Sequence, residues 1–475
     1  MDPAAPVIRI VLDGVQPSFE SPGTTLRGAA LCPEAHCARR SRLAFACCFA
    51  MVWVHCSTLR RGPRRAMTDL LPFDALLLEN VHPDADSALQ GLGPVAVRRA
   101  AGSPDPGALL DEVASAQVIG IRSRTQITEA VLDAAKRLEA VGCFCIGTNQ
   151  VDLDAAARRG VPVFNAPFAN TRSVAELTIA SVIMLMRRIP EKMFAIQRGE
   201  WLKTAEGSNE VRKKKLGIVG YGNIGAQLSV IASALGMHVH YFDIEPKLAH
   251  GNARPMESLA ALLAESDVVT LHVPSTARTR NLIGKAEIAQ MKPGAYLINQ
   301  ARGDLVDVDA LAAALKSGHL AGAAVDVFPV EPKSKDERFD SPLVSCPNVI
   351  LTPHIGGSTA EAQQAIGTDA ATKLAKFLYE GATSHAVNFP QVEPGPIAEG
   401  RVRVIVPHIN KPGFLRRLNE AAEQAGANVA AQYLQTEGEY GYAIADLESA
   451  PADLLDRIGA LDGAIRARII HPVKR

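Results

Sequence analysis

The stretch Lys214-Lys215-Leu216-Gly217-Ile218-Val219-Gly220-Tyr221-Gly222-Asn223-Ile224-Gly225 constrains this chain more than any other. A short β-type run, Leu216 to Val219, enters a G-x-G-x-x-G turn at Gly220, Gly222 and Gly225. A helical pattern follows from Ala226 to Leu235 and closes at Gly236; a second β-type run, His238 to Phe242, ends on Asp243. Strand, glycine turn, helix, strand and acidic residue, in that order, make a dinucleotide-binding βαβ unit. Gly220 permits the tight turn, Gly222 lets the backbone approach a pyrophosphate, and Gly225 lets the helix lie against the strand. Asp243 is placed to bind ribose hydroxyls. No Arg or Lys follows it at once, which favours NAD over NADP; Lys247 is the nearest cation.

At 475 residues the chain has room for two to four domains, at ~100–200 residues each. Apolar residues make up 47% and charged residues 21%, the balance of an ordinary soluble globular protein. Formal net charge is zero, so nothing suggests nucleic acid or an anionic membrane as a partner. No apolar run is long enough to span a bilayer, and a cytoplasmic location is expected. The eight cysteines show no metal-ligand spacing, and no metal is expected. A disulfide framework does not suit a chain of this size, and Cys143 and Cys145, at strand spacing in an apolar run, read as buried thiols.

Residues 1–66 differ from the rest. They hold nine arginines and no lysine, with an apolar stretch from Leu43 to Cys56 broken only by His55. A transit peptide or a late signal sequence competes with the reading adopted here: a poorly ordered extension outside the working protein, with Met67 the functional start. From Asp74 onward, strand-like and helical patterns alternate: Ala75 to Glu79, Val118 to Arg124, Ala140 to Ile146 and Val161 to Asn165 read as strands of a doubly wound domain. Ser173 and Glu176 form an S-x-x-E box expected to open a long apolar helix, Val174 to Ile189, stopping at Pro190. After the glycine turn come strands at Val268–His272, Ala295–Asn299, Ala323–Val327 and Val349–Thr352, then a helix capped by Ser358 and Glu361. Residues 390–400, rich in Pro, Gly and Glu, read as a linker. The last 75 residues follow a βαββαβ rhythm, that of a ferredoxin-like domain.

Three segments at strand C-terminal ends carry chemistry: Asn299-Gln300-Ala301-Arg302-Gly303, Asp326-Val327-Phe328-Pro329-Val330-Glu331-Pro332 and Thr352-Pro353-His354-Ile355-Gly356-Gly357-Ser358. Ligands bind at such ends in open α/β sheets. Oxidation of a 2-hydroxy acid needs a base for the hydroxyl proton, and His354 fits. It needs a carboxylate to orient and stabilise the imidazolium, and Glu331 fits. It needs a cation for the substrate carboxylate, and planar Arg302 fits. Taken singly, each could be a structural histidine, a loop charge or a surface ion pair. Their joint placement downstream of a dinucleotide unit favours function.

Long segments carry a resemblance: Gly120-Ile121-Arg122-Ser123-Arg124-Thr125, Val141 through Asp154, Asn165 through Leu177, and the three segments above. From about Leu71 to Arg475 the chain resembles the D-isomer-specific 2-hydroxyacid dehydrogenase family, in its bacterial branch with one C-terminal ACT domain. That resemblance implies an α/β protein of two doubly wound Rossmann-like domains plus a ferredoxin-like (ACT) α+β domain. It divides the chain into a substrate-binding domain, 67–168 with 360–390, an NAD-binding domain, 169–359, a linker, 391–400, and a regulatory domain, 401–475. It implies NAD-dependent oxidation of 3-phospho-D-glycerate to 3-phosphooxypyruvate, the first step of phosphorylated L-serine biosynthesis. Arg302, Glu331 and His354 take the catalytic roles above. Gly220, Gly222, Asn223, Ile224, Gly225, Asp243, Gln300, Ala301, Arg302, Asp326, His354, Ile355, Gly356 and Gly357 would line the NAD site. Arg122, Ser123 and Arg124, with Asn149, would face the substrate phosphate. His408, Asn410 and Asn428 would hold L-serine as feedback inhibitor, in a homo-oligomer of tetrameric form. Two departures stand out: Gln300-Ala301 replaces the usual Ala-Ser, which alters one cofactor contact, and only Gly400 remains of a Gly-Gly hinge. Two other functions remain open: action on another D-2-hydroxy acid such as glycerate or 2-hydroxyglutarate, and a non-catalytic NAD-sensing binding protein. Arg122 and Arg124 argue against the first, and the intact Arg302, Glu331 and His354 against the second.

Overall fold

A computed structural model describes residues 72–332 and 336–473. The expectations for residues 1–66 lie outside the described residues. The first sheet is built from β1 (Phe73–Leu77), α1 (Asp84–Gln90), β2 (Val95–Arg99), α2 (Pro106–Val113), β3 (Val118–Ile121), α3 (Glu129–Ala134), β4 (Ala140–Cys143), α4 (Leu153–Arg158) and β5 (Val163–Asn165). Its strands are all parallel, in the order β2-β1-β3-β4-β5. Every residue of β3 and β4 is buried, as expected where helices cover both faces of a parallel sheet. Strand order reverses between β1 and β3, so a crevice opens beyond their C-terminal ends.

Helices α5 (Thr171–Met186) and α6 (Ile189–Gln197) lead into the second sheet. Its elements are β6 (Lys215–Val219), α7 (Asn223–Ala234), β7 (His238–Phe242), β8 (Arg254–Pro255), α8 (Leu259–Glu265), β9 (Val268–Leu271), α9 (Lys285–Gln290), β10 (Ala295–Asn299), α10 (Val308–Lys316), β11 (Leu320–Val325) and β12 (Val349–Leu351). The order β12-β11-β10-β9-β6-β7-β8, all parallel, places its reversal between β6 and β9, next to the glycine turn. Among the described residues no helix is long and apolar enough to cross a membrane.

The helix ends correct three expectations. Ser173 does not cap α5, which starts two residues earlier at Thr171; Ser173 Oγ instead meets Thr359 Oγ1 at 2.8 Å, and Glu176 pairs with Arg172. A partner 186 residues away outweighs the local cap. Pro190 does not stop a helix but sits in the first turn of α6, where its missing N–H costs no hydrogen bond; the break falls at Arg188, with φ +53°. Thr359, not Ser358, caps α11 (Ala360–Glu380), accepting from the Ala362 N–H at 3.1 Å.

α11 covers one face of the first sheet and leads to the last domain: β13 (Val402–Ile409), α12 (Phe414–Gln424), β14 (Val429–Glu437), β15 (Tyr440–Leu447), α13 (Leu454–Gly459) and β16 (Arg468–Ile470). The antiparallel order β14-β15-β13-β16 is that of a ferredoxin-like sheet. Alternation along β13 sends Val404 and Val406 to the domain's own helices and Ile405 to the core shared with Leu374 and Phe377 of α11. The C-terminus of α11 presents orphan carbonyls, and this domain satisfies them. Arg468 donates to Phe377 O and Leu378 O, Arg403 to Glu380 O at 2.7 Å, and the Tyr442 hydroxyl to Gly381 O at 2.8 Å. Arg403 is 0% exposed and forms a two-point ion pair with Asp446 at 2.6 and 2.8 Å. It also donates to Gly395 O, which ties down the segment read as a linker. Removing one partner of such a pair strands the other, so Arg403→Met is expected to cost about 3–5 kcal/mol in urea unfolding and to speed proteolysis within residues 391–400.

Candidate active site

The crevice at the β6/β9 reversal is shaped by its glycines. Gly220 has φ +92°, and a Cβ there would lie 2.6 Å from His272 O. A Cβ on Gly225 would lie 2.4 Å from Gly220 O. A Cβ on Gly222 would meet nothing within 4 Å. The protein itself therefore demands the first and third glycines, while the second faces open space at the start of α7. Asn223 and Ile224 form the first turn of that 12-residue helix, whose free N–H groups favour an anion. Asp243, at the end of β7, accepts from Tyr221 N at 2.7 Å and Glu245 N at 3.0 Å, which fixes its carboxylate at the crevice edge. Lys247 is tied to Glu245.

At the end of β10, Asn299 is 1% exposed and folds the next turn, donating to Arg302 O at 2.9 Å and accepting from Ala301 N at 3.2 Å. Arg302 rises from this turn and donates to Ala301 O at 2.6 Å. Gly303 presses against the Phe328 backbone, where a Cβ would meet the carbonyl carbon at 2.1 Å, so the loops carrying Arg302 and Glu331 pack together. Glu331 accepts from Phe328 N at 3.1 Å and from His354 Nδ1 at 3.0 Å. A carboxylate facing Nδ1 sets the tautomer: Nδ1 carries the proton and Nε2 keeps its lone pair. The Glu331 hydrogen bond raises the His354 imidazole above its ordinary value, against the effect of burial. Burial alone would raise the Glu331 carboxyl. Hydrogen bonds from His354 and the Phe328 N–H, with the charges of His354 and Arg302, hold it below its ordinary value. The pair is thus arranged to accept a proton at Nε2 and stabilise the resulting cation.

Two residues expected to touch the cofactor face inward. Gln300 is buried against α5: its carbonyl accepts from Thr178 Oγ1 at 2.7 Å and its amide donates to Ser181 Oγ at 3.1 Å. The altered Gln300-Ala301 exit is thereby absorbed by the protein interior. Asp326 is 1% exposed and accepts from Thr352 Oγ1, Ile355 N and Gly356 N at 2.5, 2.8 and 2.7 Å. It holds the turn that keeps His354 at φ +56°. Gly357 lies against Asn170, where a Cβ would stand 2.4 Å from Nδ2. Sequence reasoning missed this holding role of Asn299 and Asp326; the available signal was a polar residue closing an apolar strand.

Arg122, Ser123 and Arg124 leave β3 at the β1/β3 reversal, and Asn149 is exposed on the loop after β4. The Cys145 thiol, pushed up by burial, donates to Arg122 O at 3.6 Å. His408, Asn410 and Asn428 lie in the C-terminal domain. The His408 ring is buried and stacked on Phe414 at 3.8 Å, with Nδ1 on Ile409 O and Nε2 without a partner among the described residues. Asn410 donates to Gly438 O, and Asn428 is exposed.

Residues 179–356 match the model of the D-isomer specific 2-hydroxyacid dehydrogenase, NAD binding domain. D-3-phosphoglycerate dehydrogenase from Haemophilus influenzae is 52% identical over 397 residues, 83% of this chain and 97% of that protein. The chain belongs to the D-isomer-specific 2-hydroxyacid dehydrogenase family. The D-3-phosphoglycerate dehydrogenase of Escherichia coli K12 is 51% identical over 399 residues, covering 83% of this chain and 97% of its own length. D-Lactate dehydrogenase from Aquifex aeolicus, solved with NAD and lactic acid, superposes with a TM-score of 0.58 at 28% identity, over 67% of this chain and 100% of that one. The chain is an NAD-dependent oxidoreductase acting on a CH–OH group. The open space at Gly222, the helix start beyond it and the fixed Asp243 fit that cofactor. Gly222→Ala is therefore expected to leave thermal unfolding unchanged while weakening NAD binding about tenfold or more, ~1.4 kcal/mol. Gly225→Ala is expected to destabilise the fold, because its Cβ meets backbone.

Proposed function

We propose that this dehydrogenase oxidises 3-phospho-D-glycerate to 3-phosphooxypyruvate, the opening step of phosphorylated L-serine biosynthesis. The observation that carries the reading is the His354–Glu331 hydrogen bond at 3.0 Å, with Arg302 and Arg122 each at the C-terminal end of a parallel strand. Gly303 packs the Arg302 loop against the loop of Glu331, and Arg122 follows β3 in the other sheet. Relatives at 51–52% identity, named D-3-phosphoglycerate dehydrogenases, support it. In this reading Arg302 orients the substrate carboxylate, and His354 Nε2 takes the C2 hydroxyl proton. Glu331 steadies the imidazolium, and Arg122, Ser123, Arg124 and Asn149 hold the phosphate. NAD, when bound, accepts the hydride from C2. The remaining NAD contacts are those at Gly220, Gly222, Asn223, Ile224, Gly225, Asp243, Ala301 and Ile355.

We further infer a homo-oligomer, a tetramer by likeness to the family, with L-serine as a feedback inhibitor. The exposed apolar side chains Met193, Phe194, Ile196, Trp201 and Leu202 on and beyond α6 support self-association. His408 Nε2, buried without a partner among the described residues, and Asn410 two residues on support a polar effector; Asn428 stands before β14 at the Leu447 end of β15, away from Gly441 beside His408, and would serve it only from another subunit. Light scattering and a serine titration of initial rates test both.

If Arg122 reads the phosphate, Arg122→Ala removes charge-assisted hydrogen bonds worth about 1.5–3 kcal/mol, or roughly 10- to 150-fold. The KM for 3-phospho-D-glycerate should rise by that factor, and the KM for unphosphorylated D-glycerate should barely move. Equal changes would favour another D-2-hydroxy acid as substrate.

The His354–Glu331 pair also sets a pH dependence. Oxidation needs neutral His354, so kcat/KM falls as pH drops through its raised pKa. Glu331→Gln removes the partner that raises it, so the acid limb should move to lower pH. In the reverse direction protonated His354 is the acid, so the loss of activity with rising pH should also begin at lower pH in the variant. An unshifted profile would separate Glu331 from the titrating base.

A further inference from the structure

The loop after β3 is held by Glu79, which follows β1, the neighbouring strand. β1 ends at Leu77, and the chain turns sharply at Glu79 and Asn80, with φ +59° and +53°. Such left-handed backbone is uncommon outside glycine and marks a position held by its surroundings. It carries the Glu79 side chain beneath the neighbouring loop. Glu79 Oε1 accepts from Arg122 N at 3.2 Å and Thr125 N at 2.8 Å, and Oε2 accepts from Arg124 N at 3.0 Å. Glu79 is only 9% exposed. On the other side, buried Gln150 donates to Arg122 O at 2.6 Å. Both polar groups of the Arg122 main chain are thus fixed, the N–H by Glu79 and the carbonyl by Gln150. Thr125 is pinned again by its hydroxyl contact with Ser103 at 2.9 Å.

This arrangement decides what the loop can offer a ligand. Turns rich in free N–H groups often bind anions through the backbone. Here the N–H groups of Arg122, Arg124 and Thr125 point inward onto one carboxylate and are closed to an anion in the crevice, which puts the weight of binding on side chains. Glu79 makes no ion pair with Arg122 or Arg124 among the described residues, and neither guanidinium has another partner there, so its acidity does not consume the charges beside it. We propose that Glu79, braced by Gln150, is a positioning residue that selects the phosphorylated substrate by fixing where the Arg122 and Arg124 guanidinium groups project. The proposal rests on the 3-phosphoglycerate reading above and deepens it.

Glu79→Gln tests it, because the amide has the same shape but only one accepting atom for three donors. Losing one or two of these hydrogen bonds should raise the KM for 3-phosphoglycerate about tenfold, leave kcat within about threefold, and leave NAD binding unchanged. If Glu79 acts through Arg122 and Arg124, the substitution should change that KM by less than about twofold once both arginines are Ala. An unchanged KM in Glu79→Gln, or the same factor in both backgrounds, would overturn the proposal. Should Glu79→Gln fail to fold, Gln150→Met releases the same peptide from its carbonyl side and must give the same pattern. Wild-type protein assayed in parallel separates the two readings. No turnover of 3-phosphoglycerate by wild type overturns the substrate reading, whereas normal wild-type turnover with an unaltered KM in the variants overturns the positioning role alone.

Discussion

The cleft depends on two stretches of chain that cross between the parallel sheets side by side. Each begins a helix as it crosses, α5 at Thr171 and α11 at Ala360, and the two starts are joined by the Ser173–Thr359 hydroxyl contact of 2.8 Å. Close approach is possible because Gly357 has no side chain to strike Asn170, and Gly356 none to strike Asp326. The same few residues carry His354. The His354 turn and the crossing between sheets are thus one structure. From it α11 runs 21 residues, about 31 Å at 1.5 Å per residue, to the carbonyls clasped by Arg403, Tyr442 and Arg468. One helix therefore spans from the imidazole to the C-terminal domain, with hydrogen bonds closing both of its ends.

Carboxylates at strand ends do two kinds of work. Glu79, Asp243 and Asp326 spend oxygens on backbone N–H groups and set the shape of loops. Glu331 differs: its oxygens meet both a backbone N–H and an imidazole, and that second contact links geometry to protonation. A backbone donor keeps its proton, so the first three contacts are structural. An imidazole can gain and lose one, so only the fourth can take part in proton transfer.

Much of this was legible in the sequence, for physical reasons. The order of strand, glycine turn, helix and acid at Leu216–Asp243 reflects constraints local to some thirty residues, and the structure reproduces it. The alternation from Val402 to Ile470 gave the βαββαβ order in the same way. Where several polar side chains point depends on distant partners. Ser173 looks like a cap until Thr359 arrives beside it. The Gln300 amide is claimed by Thr178 and Ser181, which leaves its main chain for the cofactor contact expected of it. Asp326 carries the composition of a ligand-facing residue, yet its oxygens are taken by the turn three residues past β12. Glu79 gave no signal, because a glutamate after a strand ordinarily faces water.

The most direct test of this account is the rate of NADH formation with 3-phospho-D-glycerate against that with D-glycerate, on the whole chain with saturating NAD. Two charge-assisted contacts to a phosphate predict a kcat/KM preference of about 100-fold or more for the phosphorylated acid. Equal values for the two acids, or no NADH from either, would contradict it.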